Sequence, residues 1–491
     1  MTSKLYKSFT NQLVYKHILF KRRLSTNYCI FNNLFTKNYN NYCYNVTVRS
    51  CTHFAGKMNI FKFSDYDCIG FDLDNTLLKF NLTNMTQLEY DLLTKFLVIQ
   101  KGYNSKHLLK PLSDFDWDFM QRGLILDLEN GNVLKLNSDG IIQAASHGTR
   151  PLTAEEISVV YPNKRWKLTD DFYNDMFSTW NGPTSMKMRS LLDYFDLPVS
   201  LIFAKLIDTV DEECGKVLNS YDVWPDILSG LEDMFNREQF SLNKGGYFSA
   251  IKSEPDKYLH KCNPKTISWL NEVKRNSMTF LLTGSNADFA EFTARYALGE
   301  NWRDYFDIVV CFAKKPGFFI NKRPFVSLLG LEENCIVSSK DLKCGETYSQ
   351  GNWNDLINFI KIKLAKDDPS CLYIGDNLLQ DIYIPVSRML CDTVAVIAEQ
   401  VSEGMPYQQS VQEHSKVLNS KYWDSYFSFT KDKMAKDTYW GYIIKTYAKI
   451  CIPELEFVAQ NPMHQKITSF NKINKDCKGY YPSAPISLVT L

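Results

Sequence analysis

The sequence predicts an α/β protein: a Rossmann-like three-layer sandwich, with helices on both faces of a parallel sheet, carrying an inserted mixed α+β cap. Short, β-rich apolar runs recur at Cys68–Phe71, Thr279–Leu282, Asp307–Phe312 and Cys371–Ile374, and a fifth follows at Thr393–Ala398. The segments between them are long enough for crossover helices, the economical connection for parallel strands. The interval between the first two runs is the exception. At roughly two hundred residues it far exceeds one crossover and requires an inserted domain.

Within that insertion, Asn132–Leu136 and Ile141–Ala145 flank Asn137-Ser138-Asp139-Gly140, and Asp-Gly between alternating apolar residues reads as a hairpin. Helical spacing follows over residues 190–208, where Leu191, Leu192 and Phe195, then Leu201, Ala204, Lys205 and Asp208, flank Leu197-Pro198. The chain thus divides into a basic arm (1–57), a first core part (58–104), the cap (105–255), a second core part (256–400) and a C-terminal extension (401–491). The extension is rich in aromatic residues such as Trp423, Tyr426, Tyr439, Trp440 and Tyr442 and ends near Gly479-Tyr480-Tyr481-Pro482. It holds no repeat and no catalytic motif, so a packing or interface role is expected.

Composition sharpens the division. The 491 residues carry 56 Lys+Arg against 55 Asp+Glu, a formal charge of +1, which argues against a strongly basic binder of nucleic acid polymers. The first acid is Asp65, and ten basic residues precede it, which leaves 46 basic against 55 acidic side chains from there on. The neutral sum therefore hides a basic arm on an acidic body. Leu5, Phe9, Leu13 and Phe20 share one side of a helical wheel, with Lys4, Lys7, Lys21 and Arg22 opposite. An acid-free, basic, hydroxyl-containing amphipathic arm with Arg22-Arg23-Leu24-Ser25 is the composition of a mitochondrial transit peptide. Translation from Met58 would instead give a cytosolic product. No stretch approaches the roughly 18 to 20 apolar residues of a membrane span. The thirteen cysteines include no C-x-x-C pair, which fits reduced intracellular thiols rather than a zinc site or disulfide framework.

Ligands of open parallel sheets sit beyond the carboxyl ends of the strands, so chemistry is sought just after each run. Asp72-Leu73-Asp74-Asn75-Thr76 closes the first run with two carboxylates two residues apart, one placed to attack and the other to protonate a leaving oxygen. Read alone, the pattern also suits an acidic surface turn. Three further features stand at the same edge. Thr283-Gly284-Ser285 offers hydroxyl and loop N–H groups to a phosphoryl oxygen. Lys315, within Ala313-Lys314-Lys315-Pro316-Gly317, offers a fixed charge, with Lys314 as the alternative. Gly375-Asp376-Asn377-Leu378-Leu379-Gln380-Asp381 supplies two carboxylates for a hard cation and its supporting contacts.

In this order the residues resemble the four signature motifs of the haloacid-dehalogenase-like phosphohydrolases. Gly70-Phe71-Asp72-Leu73-Asp74-Asn75-Thr76-Leu77, Arg122-Gly123-Leu124, Gly131-Asn132-Val133-Leu134-Lys135, His147-Gly148, Lys315-Pro316-Gly317-Phe318-Phe319 and Tyr373-Ile374-Gly375-Asp376 are similar to the cytosolic purine 5′-nucleotidase family. The resemblance runs from about Met58 to the C-terminus. It implies Mg²⁺-dependent phosphoryl transfer through an aspartyl-phosphate. Asp72 would be nucleophile and metal ligand. Asp74 would be general acid and then base, and a metal ligand through its backbone carbonyl. Thr283 and Lys315 would hold the transferring phosphoryl oxygens, Asp376 would complete the metal site and Asp381 would support it. Physical chemistry asks for the same cast: two carboxylates and a phosphate need a divalent cation and a lysine as countercharge, and an oxygen ligand set suits Mg²⁺ over zinc. The sequence departs from the purine nucleotidases at Gly284, where they usually carry Asn.

The implied substrate is a small phosphate ester, a nucleoside 5′-monophosphate first, with another phosphorylated metabolite as the near alternative and a non-catalytic scaffold as the alternative from a different class. Arg122 and Lys135 are cationic candidates for substrate contact, or charges that merely face solvent. His147 is a candidate for the nucleobase, or a structural residue at a tight His-Gly turn. Lys205 and Asp208 lie on the helix that the resemblance places over the site, and Ser285 is the remaining substrate-side candidate. Assembly into a homo-oligomer is left open by the sequence.

Overall fold

A computed structural model of the chain describes residues 59–180, 183–406, 415–431, 434–471 and 477–489. From Met58 onward the chain forms one compact unit. The arm at residues 1–57, and with it the import reading, lies outside the described residues.

The strands that matter here, in chain order, are β1 (Cys68–Phe71), β2 (Ile125–Asp127), β3 (Asn132–Leu136), β4 (Ile142–His147), β5 (Arg150–Pro151), β6 (Met188–Ser190) and β7 (Met278–Leu282). They continue with β8 (Ile308–Cys311), β9 (Phe325–Leu329), β10 (Glu332–Val337), β11 (Glu346–Gln350), β12 (Cys371–Gly375), β13 (Asp392–Val396) and β14 (Ile450–Ile452). Nine form the core sheet in the order β10-β9-β11-β8-β7-β1-β12-β13-β14. The seven from β11 to β14 are parallel, and β9 and β10 extend the far edge as an antiparallel hairpin. The five apolar runs seen in the sequence are the five central strands. The C-terminal extension adds β14, a three-residue strand, so part of it builds the core.

Both faces of this sheet are covered, as continuous apolar strands require. Ile69, Phe71, Leu281, Val309 and Ile374 pack into one apolar cluster. Their alternates Cys68, Phe280, Leu282, Val310 and Tyr373 pack into another on the opposite face. β1 lies centrally, between β7 and β12. That is where strand order reverses and where a crevice opens at the carboxyl ends.

The cap is built on the antiparallel sheet β5-β4-β3-β2-β6, whose central hairpin pairs Asn132–Leu136 with Ile142–His147. Helix α1 (Leu82–Lys101) starts at an Asn81 side chain that accepts from the Asn84 N–H and stops at left-handed Gly102. Helix α2 (Leu197–Cys214) starts with Pro at its first turn and stops at Gly215. Tyr90, Leu93 and Leu97 of α1 share one apolar cluster with Val199, Ile202 and Leu206 of α2. Leu82 and Met85 at the start of α1 share instead the cluster of Ile69 and Phe71, so the helix packs on both core and cap. The chain leaves and re-enters the core through a short antiparallel ribbon, Lys79–Phe80 against Leu259–His260. Among the described residues no helix is long and apolar enough to cross a membrane, and the described cysteines are free thiols.

Candidate active site

Four loops at the carboxyl edge bring the chemistry together. Asp72 follows β1, its N–H donating to the Ile374 carbonyl at 2.9 Å as the last rung before the strands part. Thr283 follows β7, tied by its N–H to the Val310 carbonyl at 3.0 Å. After β8, Phe312 and Lys314 both take left-handed backbone conformations (φ 45° and 53°). The adjacent lysines part ways there: the exposed Lys314 ammonium lies over the Phe312 ring at 4.3 Å, while Lys315 is buried at the carboxylates.

The Lys315 ammonium is 2.9 Å from Asp72 Oδ1 and 2.8 Å from Asp381 Oδ1. It also donates to the Tyr373 hydroxyl at 3.3 Å, which in turn donates to the Leu282 carbonyl. Burial opposes its charge, but Asp381 and Asp72 outweigh burial and hold it well above its ordinary value. Burial pushes the Asp72 carboxyl well above the usual carboxylate range; Lys315 opposes that shift, and Asp381 and Asp74 add to it. Asp74 is raised by burial against the pull of Ser285. Its Oδ2 accepts from the Ser285 hydroxyl at 2.7 Å and lies 3.5 Å from that of Thr283. The Ser285 N–H donates to Thr283 Oγ1 at 3.0 Å. The Thr-Gly-Ser segment is therefore organised as one turn around Asp74.

Oxygens of Asp72, Asp376 and Asp381 lie within 4.8 Å of one another. Burial, then Asp193, Asp72 and Asp381, push Asp376 well up. Asp376 Oδ2 and Asp74 Oδ1 are buried and accept no hydrogen bond. Buried carboxylate oxygens without a donor are costly unless a cation or proton meets them. An all-oxygen set with two such open atoms fits a hard divalent cation. Asp381 differs, because Lys315 and the Asn377 N–H occupy its two oxygens. Its position is that of a support.

These groups face a cavity of about 370 Å³ lined by Asp72, Asp74, Ser285, Lys315 and Asp376 on the core side, a volume that suits a small organic ligand. Six aromatic rings also line it: Phe195, Phe235, Phe240, Tyr247, Phe248 and Phe289. Phe195 and Phe235 meet at 6.4 Å, and Phe235 and Tyr247 at 4.9 Å. Asp193, Asp196, Arg189 and Arg237 add charged groups to the lining. Burial and Asp196 raise the Asp193 carboxyl to about 7.

Of the substrate-side candidates, Ser285 alone lines this cavity. The other five do not line it, and their polar atoms are taken by other partners. Arg122 forks onto Glu399 at 2.9 Å and 2.9 Å. Lys135 is buried and donates to the carbonyls of Trp423, Asp424 and Ser425. His147 bridges Asn132 at 2.8 Å and Asp211 at 3.0 Å. Lys205 pairs with Asp116 at 2.8 Å and donates to Tyr90. Asp208 accepts from the N–H and hydroxyl of Thr149, closing the His-Gly turn where a Cβ on Gly148 would fall 1.9 Å from Asp208 Oδ1. The aromatic wall escaped sequence reasoning because its members are scattered over three segments with no shared spacing. The one available signal was Asp193-x-x-Asp196 before Leu197-Pro198, a capping box that turns Phe195 at the mouth of α2.

The family model described as "5' nucleotidase family" matches residues 58–464. The chain is 35% identical over 454 residues to 5′-nucleotidase domain-containing protein 1 of Homo sapiens, a match spanning 87% of this chain and 97% of that protein. It is likewise 35% identical over 450 residues to the Bos taurus protein of the same name, with coverage of 87% and 97%. A more distant relative is 5′-nucleotidase domain-containing protein 2 of Rattus norvegicus, 25% identical over 349 residues, 70% of this chain and 58% of that one.

Proposed function

The chain belongs to the 5′-nucleotidase family and is a phosphoric monoester hydrolase; from that premise we propose that it is a Mg²⁺-dependent 5′-nucleotidase working through an aspartyl-phosphate on Asp72. The observation that carries the reading is the buried Lys315 ammonium, 2.9 Å from Asp72, beside a second carboxylate, Asp74, that opens on the same cavity. An Asp72 oxygen attacks phosphorus and the ester P–O bond breaks. The departing alkoxide takes its proton from Asp74, whose burial favours the protonated form this step needs. Asp74, now ionised, removes a proton from water, and the water oxygen attacks phosphorus. Breakage of the acyl-phosphate P–O bond frees Asp72 and inorganic phosphate.

Lys315 neutralises charge on the transferring oxygens, and the Thr283-Gly284-Ser285 turn supplies hydroxyl and N–H donors to them. Asp72 and Asp376, with the Asp74 main-chain carbonyl, would hold the divalent cation, which supplies electrostatic neutralisation of the phosphate. The aromatic wall supports a flat, stacking leaving group, and a nucleoside is the leaving group of that kind the family name implies. The test is hydrolysis of a panel of phosphate esters by the full chain with Mg²⁺. Nucleoside 5′-monophosphates should be turned over best, and Asp72→Asn should abolish turnover, because an amide is a poor nucleophile. An active Asp72→Asn protein would sink the mechanism. Preference for sugar phosphates would leave the enzyme and remove the nucleotide.

A further inference from the structure

Arg122 is one of the largest fully buried side chains, at 2% exposure, and its partners leave it a single arrangement. Nε and Nη2 donate to Glu399 Oε1 and Oε2, each at 2.9 Å. The remaining Nη1 donates to the main-chain carbonyl of Asp376 at 3.2 Å and stops 3.7 Å short of Asp376 Oδ2. The guanidinium plane is flanked by the Tyr194 ring at 3.9 Å and the Tyr426 ring at 5.3 Å. Tyr194 in turn donates its hydroxyl proton to Glu399 Oε2 at 2.8 Å and accepts from the Ala398 N–H at 3.0 Å. The main chain beside Arg122 is also fixed. Trp440 donates to the Gly123 carbonyl at 2.8 Å. Gly123 sits at φ +85°, where a Cβ would fall 2.0 Å from the indole nitrogen.

A buried guanidinium near a buried carboxylate ordinarily closes to a hydrogen-bonded ion pair. Here it is held back, and Asp376 Oδ2 accepts no hydrogen bond. What holds it back is Glu399, whose two oxygens take three donors. Had Arg122 closed on Asp376, arginine and a metal ion would compete for one carboxylate. We propose that Glu399 and Arg122 are a positioning pair for the cation site: Glu399 holds the Arg122 guanidinium where it fixes the Asp376 main chain yet leaves the Asp376 carboxylate open to a divalent cation. The pair and its Tyr194 contact span three parts of the chain. Arg122 enters β2 of the cap, Tyr194 precedes the cavity-lining Phe195, and Glu399 follows β13. The inference rests on the reading of Asp376 as a cation ligand.

The experiment measures Mn²⁺ affinity of the full-length chain by calorimetry, with thermal unfolding and kcat and KM beside it. Glu399→Gln keeps the shape but offers one acceptor, so Arg122 is released towards Asp376. Mn²⁺ affinity should fall at least tenfold, and the Mg²⁺ concentration for half-maximal activity should rise in step. KM at saturating Mg²⁺ should stay within about threefold of the parent. Arg122→Lys should also weaken Mn²⁺, since an ammonium keeps the charge but not the fork. Parental Mn²⁺ affinity in either variant, even with a lowered melting temperature, overturns the proposal, because a purely structural or charge-balancing role predicts that result. Should Glu399→Gln fail to fold, Tyr194→Phe removes one donor from Glu399 and should weaken Mn²⁺ two- to fivefold; unchanged binding again overturns it. If the parent binds no Mn²⁺, or Asp376→Asn binds it equally well, the cation reading fails and takes this proposal with it.

Discussion

Replacing Lys315 by Met removes the positive charge between Asp72 and Asp381 while keeping most of the side-chain volume. At the observed 2.9 Å and 2.8 Å, and at an effective dielectric of about 20, each contact is worth about 6 kcal/mol before desolvation. Breaking a buried pair by removing one partner costs about 3–5 kcal/mol. Part of that is recovered, because the stranded Asp72 carboxylate takes up a proton. The sign follows from Asp72, whose folded value already lies above its unfolded one through burial. Between those two values folding takes up a proton, so stability falls as pH rises through the interval. Losing Lys315 extends the interval upwards. The melting temperature of Lys315→Met should therefore lie near the parent's at pH 5 and well below it at pH 8. For catalysis, an electrostatic donor lost from a buried phosphoryl site costs about 10²–10³-fold in kcat. The assay is kcat/KM for a nucleoside monophosphate at saturating Mg²⁺, with thermal unfolding at both pH values. A variant within tenfold of the parent, or a stability deficit that shrinks as pH rises, would refute the charge argument.

Other expectations concern the cation, the second acid and the arm. Because protons compete with the cation for raised carboxylates at Asp72 and Asp376, Mg²⁺ should lift the melting temperature more at pH 8 than at pH 6; saturation at a hundred times Kd is worth about 2.7 kcal/mol. Equal shifts at the two pH values would count against carboxylate ligation. Ser285→Ala deletes the 2.7 Å hydrogen bond to Asp74. A bond to a charged group is worth about 1.5–3 kcal/mol, so kcat should fall ten- to a hundredfold with KM little changed. The limb of the pH profile set by Asp74 should move upwards, since Ser285 holds that carboxyl down; a parental profile would remove Ser285 from the chemistry. Residues 1–57 fused to a reporter should carry it into mitochondria, and a diffuse cytosolic signal would end that reading.

The core and its edge were legible because both are local. Each central strand is a short, largely apolar run, and Asp72, Thr283, Lys315 and Asp376 all stand within a few residues of a strand end, where elementary topology says to look. The choice between Lys314 and Lys315 was harder. It turns on left-handed backbone at Phe312 and Lys314, conformations that non-glycine residues rarely adopt and no sequence pattern announces. Cap charges were less legible still. The carbonyls that take Lys135 lie 288 to 290 positions away, and Glu399 lies 277 positions from Arg122. Periodicity tells which face of an element a cation occupies, but not whether a distant carboxylate or carbonyl arrives to meet it. Strand β14 was missed for a plainer reason: three buried residues, Ile450 to Ile452, fall below the length at which an apolar run can be told from chance.

The corrected cap residues change the electrostatic account of the site. If Arg122, Lys135 and Lys205 all faced the cavity, a phosphate dianion would meet protein cations enough to bind without help. Instead Arg122 is spent on Glu399, Lys135 on main-chain carbonyls and Lys205 on Asp116. At the reacting edge, among the described residues, Lys315 is the cation in contact with the catalytic carboxylates, and it already answers to Asp72 and Asp381. Four carboxyl groups against Lys315, with the Glu399-paired Arg122 3.7 Å from Asp376, leave an excess of negative charge where a dianion must bind. Arg189 and Arg237 also line the cavity, and a divalent cation at the carboxylates would add the positive charge that the reacting edge lacks. The unbonded Asp376 oxygen is where an acidic body would gather a cation, and the unbonded Asp74 oxygen is where it would hold a proton.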